Sequence, residues 1–404
     1  MGKPAILIYR LHSEGIGKLL YCLALAKSLR DRFRPVVINC CAMPESVEAP
    51  DGVEVLALPA CEHAQRASMV NIRGEQKRLP ENSERWNFLL QKAADLKPEM
   101  LLIDTYPLGD SNAEDELLPL LEQIRNSSAG STRVICCVQD IPSRVSSYSQ
   151  KRDDKTARLL EKYFDMVLVH TDPSFARLEE YFQPRNTLST PVYHTGFLLP
   201  GQISRIASGA RENRLLVSAG GGATGGPLFR AAIESHRLLW DAEKLPMTII
   251  TGPKLPEKEW LRLHWLSRDL RAVTIKRSVP NLGLEMSKVR CSVSQCGYGA
   301  ATEAVASGVS ALFVPSSGRR NSEQTDRARR LSHWGAGRLL VQDHLNAVSL
   351  ANEILQLVRF TPRETSFSMS GLANSVALIE RLSFVETGYS AAHVAGQGSI
   401  SQGQ

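Results

Sequence analysis

Residues 291–330 read CSVSQCGYGAATEAVASGVSALFVPSSGRRNSEQTDRARR. A short apolar run, 291–294, stops at Gly297-Tyr298-Gly299, and a helix of small residues follows with Glu303 near its start. A second apolar run, 311–314, ends at Pro315. A loop rich in Ser, Gly and Arg then enters another helix at Asn321-Ser322-Glu323-Gln324. The pattern predicts strand, turn, helix, strand, loop, helix. In open α/β sheets ligands bind at the carboxyl ends of the strands, and both turns lie at such ends.

The chemistry follows from the spacing. A glycine-rich turn lets a ligand approach the backbone, and the helix behind it aims free N–H groups and a positive dipole end at an anion. Glu303, about one turn inside, would sit beside that anion and could accept two hydrogen bonds from a ribose diol. Glu323 and Gln324 could meet other hydroxyls. An anion, a diol and further hydroxyls together describe a nucleotide sugar. Taken singly, Glu303 is equally readable as a solvated helix residue and Ser322 as an N-cap. The order of the whole set favours the ligand.

At 404 residues the chain is too long for one ordinary core, which points to two domains. Hydrophobic residues at 43% and charged residues at 22% are those of a globular protein soluble in water. A net charge of +6 suits an anionic substrate or an anionic membrane surface. No basic run is interleaved with aromatics, which argues against nucleic acid. The N-terminus lacks the apolar core of a signal peptide, and no apolar run is long enough to span a bilayer. The eight cysteines form no Cys-x-x-Cys, so buried thiols in a reducing cytoplasm are expected.

Along the first half, strands are expected at 5–9, 36–39, weakly at 53–56, and at 100–103, 134–138 and 166–170. Helices are expected at 19–33, 86–94, 113–125 and 153–164, with one more capped by Thr171-Asp172-Pro173. Residues 62–80 are expected to be a long loop or short helices. Such alternation argues a parallel sheet covered on both faces. The loop 11–18, LHSEGIGK, resembles the end of a phosphate-binding loop, but His12 stands where a Gly is needed and Leu19 where Ser or Thr is needed. Leu20 likewise breaks Gly-x-Gly-x-x-Gly, so neither a mononucleotide nor a dinucleotide site is read there.

Residues 196–213 carry Pro, Gly, Ser and mixed charge, as a linker would. The pattern then restarts: strand 214–218, the turn Ala219-Gly220-Gly221-Gly222-Ala223-Thr224-Gly225-Gly226, and helix 227–239. Strands at 247–251 and 272–276 and a short helix at 281–286 lead into the opening stretch. A strand at 338–341 and helices at 347–358 and 370–384 close the pattern. Packed glycines leave N–H groups accessible, so this turn could seat a diphosphate, although a flexible loop has the same composition. The expected division is 1–198 acceptor-side domain, 199–213 linker, 214–370 nucleotide-sugar domain, 371–385 return helix and 386–404 disordered tail.

Two α/β halves with the glycine turn, the Gly-Tyr-Gly…Glu element and the Glu-Gln element resemble a GT-B glycosyltransferase of family 28 type. The likeness is to the family that includes the lipid II-forming N-acetylglucosaminyltransferase and, within it, to a bacterial group of predicted glycosyltransferases. It is carried by residues 163–173 (YFDMVLVHTDP), 217–222 (VSAGGG), 250–253 (ITGP) and 323–328 (EQTDRA), and covers roughly residues 5–385. The resemblance implies two Rossmann-like parallel-sheet domains facing a cleft, with the last helix crossing back to the first domain. It implies an inverting transfer from a UDP-sugar or other nucleotide sugar, with no metal and no cofactor. Gly220, Gly221, Gly222, Gly297 and Tyr298 would face the diphosphate. Glu303 would hold the ribose, Glu323 and Gln324 the sugar, and the region around Val279 would border the base. The acceptor, a small molecule, a lipid-linked group or a peptide, would lie against the first domain.

One departure matters. Where the family's first loop usually ends in a histidine, this chain has Lys18, and an ammonium group has no lone pair with which to act as a base. His12 in the same loop and Asp104 at a strand end are the other candidate bases. A nucleotide-sugar hydrolase or epimerase on the same fold, or a non-catalytic nucleotide-sugar-binding homologue, are therefore the alternatives. The basic stretch 27–34 would allow peripheral membrane contact from the cytoplasmic side, though it reads equally as a solvated helix end.

Overall fold

The computed structural model describes residues 2–11, 16–40, 43–45, 47–59, 84–109, 113–127, 132–142, 149–316 and 322–384. The first half lays down β1 (Ala5–Arg10), α1 (Gly17–Leu29), β2 (Arg34–Asn39), β3 (Glu54–Ala57), α2 (Glu84–Leu96) and β4 (Met100–Asp104). It continues with α3 (Glu114–Asn126), β5 (Arg133–Gln139), α4 (Gln150–Tyr163), β6 (Met166–His170) and β7 (Val192–His194). The strands form one parallel sheet in the order β3-β2-β1-β4-β5-β6-β7.

The second half repeats the scheme with β8 (Glu212–Ser218), α5 (Gly226–Glu243), β9 (Met247–Ile250), α6 (Glu257–Ser267), β10 (Val273–Lys276) and α7 (Leu282–Lys288). Then come β11 (Val289–Ser294), α8 (Tyr298–Ser307), β12 (Ser310–Phe313), α9 (Ser322–His333), β13 (Arg338–Leu339), α10 (Ala347–Leu357) and α11 (Gly371–Phe384). Its parallel sheet runs β10-β9-β8-β11-β12-β13. In each sheet the order reverses once, between β1 and β4 and between β8 and β11. Those two points open crevices at the strands' carboxyl ends.

Side chains alternate across each strand, which is why both sheet faces are apolar. Leu7, Tyr9, Val36, Leu101 and Ile103 face α2, α3 and α4, whereas Ile6, Ile8, Val37, Met100 and Leu102 face α1 and α11. In the second sheet Leu215, Val217, Ile249, Cys291 and Val293 meet α5 and α10. Leu216, Ala311 and Phe313 meet α8 and α9 on the other face. Alanines 300, 301 and 304 of α8 are buried, and their small size lets α8 lie close to the sheet and to α7. Gly308 ends α8 at φ +64°, its N–H reaching the carbonyls of Ala304 and Val305.

The last helix crosses back to the first domain, as expected. Ile379 packs into the core beneath α1, and Arg32 donates to Ser383 Oγ at 2.9 Å. Asn374 Nδ2 donates to the Thr195 carbonyl at 2.7 Å. Arg32, inside the basic stretch, thus serves the helix contact, while Lys27 and Arg34 stay exposed. No described helix is long and apolar enough to cross a membrane. The described cysteines are free thiols, and burial pushes the Cys291 thiol up to about 12. Cys41, Cys61, the segment 62–80 and the tail 386–404 lie outside the described residues.

One local expectation needs correction, and two elements were not expected. Thr171-Asp172-Pro173 starts no α-helix; a turn and a short 3-10 segment, Leu178–Glu180, follow. The physical reason is that Asp172 is used twice. Oδ1 accepts from the Ser174 N–H at 2.8 Å, and Oδ2 accepts from the Ser368 N–H at 2.8 Å, on the connection into α11. Helix α6 was not anticipated, because among its residues only Leu263 is fully buried and its apolar period is weak. The short edge strand β7 was not anticipated either.

Candidate active site

The second crevice is built by two turns. Strand β8 ends at Ser218 and β11 at Ser294, paired in register, and the Gln295 N–H donates to the Ser218 carbonyl at 3.3 Å. Gln295 Nε2 then donates to the Thr224 carbonyl at 3.2 Å, tying the glycine turn to the end of β11. Gly222 has φ +92°, and a Cβ there would lie 2.1 Å from the Thr251 carbonyl oxygen. Only glycine fits that packing. Gly220, at φ +51°, is different: a Cβ would meet nothing within 4 Å, and the same is true at Gly297. The N–H groups of Gly220, Gly221 and Gly297 donate to no acceptor among the described residues. The turns are therefore fixed from behind and open in front.

Glu303 lies on α8 beside Gly283 of α7, where an added Cβ would come within 3.2 Å of its Cγ. It is buried, at 7% exposure, and has no hydrogen-bond partner among the described residues. Burial pushes its carboxyl up to about 7. Gln324 Oε1 accepts from the Ser316 N–H at 3.2 Å, which leaves the amide nitrogen as its donor for a ligand. Glu323 stands next to it, half-buried. Val279 packs at the edge of the cluster formed by Met286, Ala300 and Ala304.

Tyr298 is used in a way its position in the motif does not suggest. Its ring turns into the domain junction, where the hydroxyl donates to the His170 carbonyl at 2.7 Å and accepts from the Leu198 N–H at 2.8 Å. Tyr21 of α1 meets the ring edge-on at 5.2 Å. The phenol is thus a joint between the halves, and what Tyr298 offers a ligand is its backbone N–H at the start of α8.

In the first crevice Lys18 and Asp104 meet. Lys18 Nζ lies 3.3 Å from Asp104 Oδ2 and donates to Thr105 Oγ1 at 2.8 Å. Thr105 Oγ1 in turn donates to Asp104 Oδ1 at 2.7 Å. Thr105 sits at φ +70°, a strained conformation for a β-branched residue. Helix α1 brings the lysine and β4 the aspartate to one switch point. His12 lies outside the described residues.

Sequence reasoning missed Asp140 and Arg327. Arg327 of α9 grips Asp140, just past β5, through Nε–Oδ2 at 2.6 Å and Nη2–Oδ1 at 2.7 Å. Its third nitrogen donates to the Cys296 carbonyl at 2.6 Å, directly before Gly297. The available signals were an Asp at a strand end and an Arg inside the Glu-Gln helix, but nothing in the chain pairs them.

Residues 216–381 match the family model described as the glycosyltransferase family 28 C-terminal domain. The matched residues make up most of the second domain, which is therefore similar to that family's domain. The Synechococcus elongatus UDP-N-acetylglucosamine–N-acetylmuramyl-(pentapeptide) pyrophosphoryl-undecaprenol N-acetylglucosamine transferase is 27% identical to the chain over 207 residues. That match takes in 51% of this chain and 54% of the relative, so the chain spans about half the length of the curated relatives it matches. The solved structure of the calicheamicin glycosyltransferase CalG4 superposes with a TM-score of 0.61 at 18% identity, over 96% of this chain and 100% of that one. A putative UDP-N-acetylglucosamine 2-epimerase from Listeria monocytogenes superposes at 0.57 and 13% identity, over 96% and 99%. At such identities the superpositions establish the GT-B fold alone.

Proposed function

We propose that the protein is a glycosyltransferase that moves a sugar from a nucleotide sugar, a UDP-sugar being the first choice, to an acceptor held against the first domain. The carrying observation is the pair of open glycine turns at the second switch point, with the unpartnered, buried Glu303 about one and a half turns along the helix that starts there. Backbone N–H groups of Gly220, Gly221 and Gly297 and the positive end of α8 would take the leaving diphosphate's charge, so no metal is required. The ribose diol would donate to Glu303, and Glu323 and Gln324 would orient the sugar.

In the step itself the acceptor oxygen attacks the anomeric carbon from the first-domain side. The bond to the diphosphate oxygen breaks on the opposite face, which inverts the centre. Asp104 takes the acceptor proton, held in place by Lys18 and Thr105. The test is thermal-shift protection by UDP and UDP-sugars. Glu303→Ala should abolish it; unchanged protection would defeat the assignment.

A second reading is favoured by one observation, the epimerase superposition. An epimerase or hydrolase would turn over a UDP-sugar alone, so product formed without any acceptor would select it.

A further inference from the structure

A cavity of about 720 Å³ lies at the amino ends of the second sheet's strands, opposite the glycine turns at their carboxyl ends. It is framed by the starts of β8, β11 and β12, the end of α8, and the connections before β8 and after α10. The strand ends separate it from the donor crevice by roughly 17 Å, at about 3.3 Å per residue. Its charged lining is Arg205, Arg211, Arg290, Arg359 and Arg363 against Glu364 alone, a formal +4 where the whole chain carries +6.

Two of these arginines are committed to pairs: Arg205 with Glu364, and Arg290 with Glu243 at 3.4 Å. Arg211 has no carboxylate. It donates to the carbonyls of Ile206, Met286, Val289 and Ser307, and burial together with neighbouring Arg205 lowers its pKa. Arg359 and Arg363 are exposed and have no side-chain hydrogen bond or ion pair among the described residues. Holding these like charges around one concavity costs electrostatic energy that an anion would relieve. The volume is that of a small-molecule site, and Phe360 and Pro362 add an apolar wall beside the charge.

We infer that this arginine cavity binds a multiply charged phosphate group, at a site separate from the donor crevice. Arg359 and Arg363 supply the fork-shaped donors, and Arg211 supplies a fixed background charge. The phosphate could belong to a free phosphorylated metabolite or to a lipid headgroup, and the same arginines would read either.

The test uses the full chain and the double variant Arg359→Ala/Arg363→Ala, whose exposed side chains leave the core untouched. Inorganic pyrophosphate is titrated calorimetrically at low salt, with UDP titrated in parallel to report the other crevice. The wild type should bind pyrophosphate, and the variant should lose about tenfold or more of that affinity with its UDP titration and melting temperature unchanged. Flotation on vesicles containing phosphatidylglycerol, lost in the variant and absent on phosphatidylcholine, would identify the headgroup as the source. Pyrophosphate binding without flotation would identify a free metabolite. Identical titrations for wild type and variant, or no binding and no flotation, would overturn the inference.

Discussion

Arg327 and Asp140, 187 residues apart, form a two-pronged ion pair between the domains, and the same guanidinium holds the Cys296 carbonyl at 2.6 Å. Asp140 is fully buried and Arg327 nearly so. Removing one partner strands a charge where water cannot reach it. Arg327→Met is expected to destabilise the protein by about 3–5 kcal/mol. The double variant Arg327→Met/Asp140→Leu should recover most of that loss. Urea denaturation measures both, and equal losses in the single and double variants would contradict the expectation.

Glu303 carries a pH signature. Its folded carboxyl is raised to about 7 from an ordinary 4.5, so between those values the folded chain keeps a proton that the unfolded chain has released. This group's contribution to stability therefore falls as pH rises from about 4.5 to 7, by up to about 3 kcal/mol. A diol donating to the carboxylate favours the ionised form, so UDP should bind more tightly at pH 8 than at pH 6. Glu303→Gln should flatten the rise, as calorimetry at several pH values would report.

The two glycines of the turn separate stability from binding. Gly222→Ala forces a Cβ onto the Thr251 carbonyl and should destabilise the second domain markedly. Gly220→Ala meets open space and costs only the backbone preference, about 1–2 kcal/mol. Melting temperature with and without UDP distinguishes them: Gly220→Ala should stay folded and lose protection.

Asp104→Asn should lower kcat by about 10²–10⁴-fold with donor KM unchanged, the range for loss of a general base. Lys18→Met should also reduce turnover, by freeing Asp104 and Thr105 from their shared contact. Wild-type turnover in Asp104→Asn would remove it from the chemistry.

The strands and most helices were legible because parallel sheets buried on both faces leave unbroken apolar runs such as 5–9 and 166–170. The first glycine turn was legible because the positive φ at Gly220 and Gly222, and the tight packing behind Gly222, call for glycine. Side-chain direction was not. Nothing in Gly297-Tyr298-Gly299 says that the ring points into the junction, since its partners His170 and Leu198 lie 128 and 100 residues upstream. The Asp140–Arg327 pair was hidden for the same reason. The Lys18–Asp104 contact was half visible: each residue stood out alone, and only the β1/β4 crossover joins them.

Helix α11 has a consequence for biosynthesis. The apolar patch on α1 that receives Ile379 belongs to the start of the chain, yet its cover is made near the end. A nascent first domain therefore leaves the ribosome with that patch bare and must wait for the whole second domain before sealing it. Chains cut short before α11 should expose a sticky surface and be drawn into aggregates or onto chaperones.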